Sequence, residues 1–455
     1  MKKPNIIFIM SDDHASHAMS CYNSQINETP NIDRIANEGM KLNNTFCTNS
    51  ICAPSRATIL TGKYSHLNGV ETLDDNFDNT QLTFPKLLQK NGYKTAMIGK
   101  WHLGQGKKHQ PTGFDYWNVL PGQGDYVDPQ MIEMGEKKKF KGYVTDLITD
   151  FSLDWIDKNK DNDDPFLLMC HHKAPHRPWV PNKKHADMYK DLEITYPETF
   201  NDDYSNRSSA AENAEMRIDR DLVFGWDLKE LPDREISMDN EKMKKWKYQK
   251  YIKDYLRCIA SIDDNVGRML DYLDEEGLTD NTIIVYTSDQ GFFLGDHGWF
   301  DKRFFYEESL RMPFVIRYPE EINPETENND IILNTDFAPT FLDFAGLDIP
   351  DEIQGKSFRK LLSQKSSESL RDVMYYHYSM YPSSHNVYPH YGVRTDRYKL
   401  IYYYDTGDNG EWELFDLKTD PNEMNNQYNN PKYKETITRL KKKLFKEKTF
   451  LKDYI

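Results

Sequence analysis

The stretch Ser50-Ile51-Cys52-Ala53-Pro54-Ser55-Arg56-Ala57-Thr58-Ile59-Leu60-Thr61-Gly62-Lys63 organises the reading of the whole chain. Pro54 suits a first helical position, where its missing N–H costs nothing. Ala57 to Leu60 continue the helix, and Gly62 can end it in a left-handed cap. Cys52 then stands at a helix N-terminus, where free N–H groups and the helix dipole favour an anion. Arg56, four residues on, shares its helix face and can fold back over Cys52. The expectation is a small reactive side chain in an electropositive niche. An isolated C-x-P-x-R is more often a buried Cys with a helix cap and a surface Arg, so the rest of the chain has to decide.

Working outward, residues 4–10, 94–99, 166–170 and 282–287 are apolar runs that suit strands buried on both faces of a parallel sheet. Helical patterns lie between them: one capped by Thr29, one over 82–91 closed by Gly92, one over 143–157, and a long one over 246–276. This alternation predicts an α/β fold, a mixed and mostly parallel sheet sandwiched by helices, completed by 313–318 and 335–345. Residues 179–243 are polar and weakly periodic and read as long loops on the ligand side. Beyond Gly346 the texture changes. Residues 374–379, 397–404 and 412–416 alternate like antiparallel strands, and 433–451 form a basic amphipathic helix. The expected division is a catalytic domain over 1–345 and a small α+β subdomain over 346–455 that contributes to the substrate pocket.

Ligand sites in open parallel sheets lie at the carboxyl ends of the strands. Four predicted strands end in charged or imidazole groups: Asp12-Asp13, Lys100 with His102, the segment from His171 to His176, and Asp289-Gln290. Asp12, Asp13, Asp289 and Gln290 offer hard oxygen ligands without His or Cys, which suits Ca²⁺, with Mg²⁺ second. Two adjacent carboxylates after a buried strand repel each other unless a cation compensates. For any one Asp the ordinary alternative is a cap or a turn.

Cys52-Ala53-Pro54-Ser55-Arg56 followed by Leu60-Thr61-Gly62 resembles the signature of type I sulfatases, and Gly99-Lys100-Trp101-His102-Leu103-Gly104 resembles that family's second motif. The resemblance spans roughly residues 4–345. It implies an alkaline-phosphatase-like fold and oxidation of Cys52 to Cα-formylglycine by a separate maturation enzyme. It implies that Asp12, Asp13, Asp289 and Gln290 hold calcium, with the modified Cys52 oxygen also coordinated. Many family members carry Asn where Gln290 stands, and both offer an amide oxygen. By the same resemblance Lys100 and His102 contact the formylglycine hydrate, and His102 is a candidate base for breakdown of the sulfated intermediate. His176, in Ala174-Pro175-His176-Arg177-Pro178, matches a histidine near the leaving oxygen and is a candidate general acid. Lys302 matches a sulfate-binding lysine. His171 and His172 read as ordinary strand-end histidines. Arg56, Lys100, Lys302 and the cation together would neutralise charge around sulfur.

Within the family, 174–179 with 200–204 and Arg207, and also 385–394, look like bacterial glucosamine-6-sulfatases acting on heparin or heparan fragments. Arg177, His390 and Arg394 are accordingly candidate substrate-binding residues, with a structural role at the domain seam as the equal alternative for the last two. The expected reaction is hydrolysis of the 6-O-sulfate of glucosamine residues. The rivals are another carbohydrate or aryl sulfatase, an N-sulfoglucosamine sulfohydrolase, a phosphonate or phosphate monoesterase, and a non-catalytic glycan-binding relative.

Composition narrows the partners. The chain has 455 residues and a formal net charge of −15, from 58 basic and 73 acidic groups. That argues against nucleic acid or an anionic membrane as partner, but not against a small sulfated saccharide held in a locally positive pocket. No apolar run is long enough for a membrane span. Five scattered cysteines suggest neither a disulfide framework nor zinc. The expected compartment is periplasmic or secreted if a leader has been removed, and cytoplasmic otherwise. Oligomeric state is not legible.

Overall fold

Strand β1 (Asn5–Ser11) is buried along its whole length because it has strands on both edges and packed layers on both faces. Its side chains alternate between two cores. Ile6, Phe8 and Met10 enter one, where Phe8 packs edge-on against Phe337 and Phe341. Ile7 and Ile9 enter the other, with Ile252, Leu256 and Ile259 of the long helix. The computed structural model describes residues 3–161, 164–230, 239–365, 368–406 and 410–454.

Among the described residues, α1 is Cys52–Thr61, β2 is Lys94–Lys100, β3 is Phe166–His171, α2 is Asn240–Glu275, β4 is Thr282–Ser288 and β5 is Phe314–Arg317. The main sheet runs Thr326–Asn328, Met40–Leu42, β5, β4, β1, β3, β2, Tyr116–Leu120, Gln130–Glu133, Glu136–Lys139. Its five central strands, from β4 to Tyr116–Leu120, are mutually parallel, and antiparallel pairs lie toward both edges. The mixed, mostly parallel sheet expected from the apolar runs is therefore present. Beside it sits a four-stranded antiparallel sheet of β6 (Met374–Tyr378), β7 (His390–Arg394), β8 (Tyr398–Tyr403) and β9 (Glu411–Asp416), backed by α3 (Lys434–Leu451).

Four local expectations need correcting. Helix α1 begins at Cys52 itself, so Pro54 is its third residue rather than its first. Gly62 does end it, at φ +65°. Thr29 makes no capping hydrogen bond. Asp263 of α2 instead accepts from the Asn31 and Ile32 amides, at 3.0 and 2.8 Å. Helix α2 starts six residues before the apolar period shows it. Its Lys-rich first turns have good helix propensity and Asp239 caps them by accepting from Lys242 N, features that carry no hydrophobic signal. Strand β7 was not among the strands read from the sequence, where 385–394 stood out only by its resemblance. Gly392 interrupts its alternation because a Cβ there would lie 2.9 Å from the Phe305 ring. Of the loops expected over 179–243, residues 231–238 lie outside the described residues, 240–243 are the start of α2, and the others are loops with short helices at Lys183–His185 and Ser209–Asn213.

Candidate active site

The carboxyl ends of β1, β4, β2 and β3 bring the charged clusters to one sheet edge. Asp12 and Asp13 follow β1, and Asp289 follows β4, whose backbone stays paired to β1 through Asp289 N–H to Ser11 O at 3.2 Å. Asp13 has φ +67°, and its amide donates to Asp289 Oδ1 at 3.2 Å. Such left-handed non-glycine positions cost energy and persist where surrounding contacts over-determine them. Oxygens of Asp12, Asp13 and Asp289 all lie within 4.8 Å of one another, fully buried.

Three cations face these three carboxylates. Arg56 forks between Asp289 Oδ2 and Asp12 Oδ2, at 3.0 and 2.9 Å, and its third nitrogen donates to Lys100 O. Lys100 is paired to Asp12 and also donates to Gln123 Oε1. Lys302 Nζ lies 2.6 Å from Asp13 Oδ1 and 2.8 Å from Oδ2. Arg56 thus spends its donors on Asp289, Asp12 and the Lys100 carbonyl. Two buried carboxylates are stronger partners for a guanidinium than a thiol, and they take its donors.

The oxygen set fits a hard divalent cation. Asp12 Oδ1 and Gln290 Oε1 are buried without any hydrogen-bond partner, while Gln290 Nε2 donates to Asp13. Burial pushes the Asp13 carboxyl up to about 6, with Asp12 and Asp301 adding to the effect against Lys302. Burial and the Asp12 charge push Asp289 up to about 7 against Arg56. Burial would raise Asp12 as well, but the charges of Lys100 and Arg56 hold it well below the usual range. A site whose carboxylates resist ionisation until positive charge is added is suited to a cation.

Cys52 is buried at the N-terminus of α1, with its Sγ within 4.8 Å of an Asp12 oxygen and a His176 nitrogen. Its thiol is pushed up to about 12, by burial and then Asp12, against Lys302 and Lys100. The expected electropositive niche does not produce a thiolate, because burial and the Asp12 charge outweigh Lys302 and Lys100. As a thiol, Cys52 is protonated and a poor nucleophile.

His176 Nδ1 lies 2.6 Å from Arg177 O, which fixes Nε2 as the nitrogen facing the site, 3.8 Å from Asp13 Oδ2. Burial and the nearby Lys100 hold the imidazole well below its ordinary value, so it is neutral with an acceptor at Nε2. His102 has φ +56° and a buried Nδ1 without partner, and is held low by burial and Lys100. His171 ends β3 with Nδ1 toward Lys100 O at 3.3 Å, and His172 packs with Nε2 3.8 Å from Cys170 Sγ.

The three candidate substrate residues fare differently. Arg177 reaches Asp227 at 3.1 Å and His385 at 2.6 Å, and lies 3.5 Å from Asp301, beside Lys302. His390 is fully buried, stacked on Tyr376 at 5.6 Å between Phe304 and Tyr403. It cannot touch a substrate in this arrangement. Arg394 is also buried. It holds Glu307 bidentately at 2.9 and 3.1 Å over the Phe46 ring, so its fork is already filled and it braces the seam. Conversely, Asp301, Arg303, His385 and Gln123 join the site without having been singled out. Asp301 and Arg303 flank Lys302 in sequence at φ +79° and +90°, with Arg303 Nε 3.2 Å from Asp301. The alternating charges Asp301-Lys302-Arg303 were the available signal. Gln123 comes from a distant loop and gave none, whereas His385 opened the 385–394 stretch already noted by its resemblance. Lys173 was also missed: its Nζ is buried without a hydrogen-bond partner, 4.8 Å over Tyr126, and burial brings it down to about 8.

Comparison with known proteins finds relatives along nearly the whole chain. The sulfatase family model matches residues 4–347, and the model for the C-terminal region of N-sulphoglucosamine sulphohydrolase matches 295–449. An N-acetylglucosamine-6-O-sulfatase of Bacteroides thetaiotaomicron is 46% identical over 95% of this chain and 84% of its own length. An arylsulfatase of Clostridium perfringens is 30% identical over 98% of this chain and 94% of its own. A solved structure of a protein in complex with its substrate D-glucosamine-2-N,6-O-disulfate matches at TM-score 0.93 and 44% identity, covering 100% of this chain and 99% of that one.

The titration of this cluster gives a test. Asp13 and Asp289 have folded values of about 6 and 7 against an ordinary 3.8, so both favour the fold while protonated and oppose it once ionised. Protein stripped by chelator should lose thermal stability as pH rises from 5 through 7 to 8, and added Ca²⁺ should restore more at pH 8 than at pH 5. Asp13→Ala and Asp289→Ala should abolish the calcium response. Stoichiometric zinc in elemental analysis, or a calcium response unchanged in both variants, would contradict the assignment.

Proposed function

The chain belongs to the sulfatase family, and on that premise we propose that it hydrolyses the 6-O-sulfate of glucosamine units in heparin- or heparan-type saccharides. The observation that carries the substrate is the near-complete superposition on a protein that holds D-glucosamine-2-N,6-O-disulfate as its substrate. The charge arrangement supports the reaction class. Three buried carboxylates and three buried cations balance around Cys52, so a divalent cation held by Asp12, Asp13, Asp289 and Gln290 would leave the site positive. A positive, water-poor site draws in a sulfate monoester anion and stabilises charge that grows during transfer.

Formylglycine made from Cys52 by a separate maturation enzyme would supply the hydroxyl nucleophile that the protonated thiol cannot. The remaining roles belong to residues of this chain. Arg56 locks Asp12 and Asp289 in place as metal ligands. Lys100 and Lys302, each tethered to one Asp, present ammonium groups beside Cys52 for the sulfate oxygens. His176 presents Nε2 where a leaving oxygen would sit. It is neutral in the free site, and the negative charge of a bound sulfate raises its proton affinity, which lets it deliver a proton to the departing sugar oxygen. His102, with a buried unpaired nitrogen on the opposite motif, is placed to take a proton in the second half-reaction.

The sugar would be read by the polar wall of Arg177, Asp301, Arg303 and His385. His385 lies 3.5 Å from Asp301, and Tyr378 lies 3.5 Å from Arg303, so the part of the chain beyond residue 345 reaches the pocket built by the part before it. This supports a catalytic domain over 1–345 completed by 346–455. A second reading, cleavage of an N-sulfate, is favoured by the C-terminal match to N-sulphoglucosamine sulphohydrolase.

The deciding experiment is turnover on 2-O-, 3-O-, 6-O- and N-sulfated glucosamines together with galactose 6-sulfate. Glucosamine 6-sulfate should have the highest kcat/KM, and preference for the N-sulfate or for galactose would replace this substrate assignment. A second outcome follows from the His176 geometry. His176→Ala should slow sugar sulfates by about 10²- to 10⁴-fold, the usual range for positioned proton transfer. An aryl sulfate with an acidic leaving phenol should be slowed far less. Equal losses on both substrates would remove His176 from the leaving-group role.

A further inference from the structure

The outer face of the C-terminal sheet carries an aromatic row that the reaction does not use. In register, His377 pairs with Tyr391, Tyr391 with Tyr402, and Tyr402 with Trp412, so four strands set these side chains side by side. Ring centroids are 5.5 Å apart for Tyr391–Tyr402 and 4.5 Å for Tyr402–Trp412, and Tyr428 stacks on Trp412 at 5.6 Å. Alternation along β7 sends His390 and Gly392 to the other face, against Phe304 and Phe305. The row therefore faces away from Cys52.

Helix α3 lies along this row. Lys441 Nζ sits 4.0 Å from the Trp412 ring centroid, and Lys448 Nζ sits 3.5 Å from that of Tyr391. Seven residues separate the two lysines, two helical turns or about 10 Å. Leu440, Leu444 and Leu451 anchor the helix in the core, whereas Phe445 is 75% exposed at the rim. Between helix and sheet lies a cleft of about 410 Å³ lined by Tyr391, Trp412, Lys441, Phe445 and Lys448, with one carboxylate, Asp453, among them. Residues 434–452 carry eight Lys or Arg and two Glu, on a chain whose net charge is −15.

We propose that this cleft and the basic stripe beside it form a docking surface for a sulfated glycan chain, separate from the catalytic pocket. The inference rests on the reading of the substrate as a sulfated saccharide. Lys441 and Lys448 cover the Trp412 and Tyr391 ring faces with ammonium groups that fit sulfate and carboxylate, and the exposed Phe445 ring beside them offers a face for the flat C–H side of a sugar. The concentration of positive charge on one helix of an acidic protein gives the complementarity. A bilayer fits less well: the leucine face of α3 is already buried in the fold and cannot enter lipid. A second site on the far side of the sheet would hold a long chain while its ends are presented to the pocket.

The test uses the full chain as Cys52→Ala, titrated calorimetrically with a heparin octasaccharide at fixed salt. Lys441→Gln/Lys448→Gln should weaken binding about tenfold or more, the loss of two charge-assisted contacts. Phe445→Ala, at a side chain too exposed to matter for folding, should weaken it as well. The unsulfated octasaccharide of the same backbone should bind far more weakly. Matching unfolding midpoints show that any loss is not misfolding. Unchanged affinity in both variants, or equal affinity for the unsulfated chain, overturns the proposal. Lysine-dependent sedimentation with phosphatidylserine vesicles, with octasaccharide affinity intact, overturns it in favour of a membrane. Hydrolysis of glucosamine 6-sulfate by the unaltered chain is a separate readout: it fails if the substrate reading is wrong, whereas octasaccharide affinity fails if the surface is not a docking site.

Discussion

Three carboxylates buried within a few ångström of one another set the terms for everything else at this sheet edge. Asp12, Asp13 and Asp289 cannot all ionise in a dry pocket without compensation, and removing one partner of a buried pair typically costs about 3–5 kcal/mol. The chain answers with Arg56, Lys100 and Lys302, one from a helix, one from a strand end and one from a loop. Each is held by a tether too short to allow drift: the Arg56 fork at 2.9 and 3.0 Å, and Lys302 at 2.6 Å from Asp13. Helix α1 is buried on all sides because it must carry both Cys52 and Arg56 into this cluster. The fold is in this sense a frame that holds a balanced set of buried charges at one sheet edge.

Much of that frame was legible in the chain. Strands β1, β2, β3 and β4 were readable because strands buried on both faces are apolar at every position, and their polar endings then marked the site. What was not legible depends on contacts between distant segments. Arg56 was expected over Cys52 because helix spacing allows it. In the structure its donors go to Asp12, Asp289 and the Lys100 carbonyl, partners that helix spacing does not reveal. Arg394 was expected to meet the substrate, but Glu307, 87 residues away in sequence, fills its fork. His390 carries a polar ring that suggested ligand contact, yet it is a stacked core side chain at the centre of a sheet. Single residues of polar type far from a motif gave weak guidance, whereas runs whose periodicity and endings agreed gave strong guidance.

The two faces of the C-terminal sheet divide the labour of the annex. One face supplies the seam, where Glu307, Arg394 and Lys399 bind it to the main sheet, with Lys399 Nζ 3.0 Å from Glu307. Loops beside that face carry His385 to the Lys302 segment. The other face turns an aromatic row toward two lysines of α3. A sheet with period-two alternation can serve both purposes at once, because neighbouring residues such as His390 and Tyr391 point to opposite sides.

The central claim is that Cys52 acts only after oxidation, because its buried thiol, pushed up to about 12 beside Asp12, is a poor nucleophile as it stands. The most direct measurement is the mass of the Cys52 peptide from preparations graded by sulfate-ester turnover. Specific activity should rise in proportion to the fraction of peptide carrying an aldehyde in place of the thiol, and preparations with none should be inactive. Full turnover from protein whose Cys52 peptide is wholly unmodified would contradict the account.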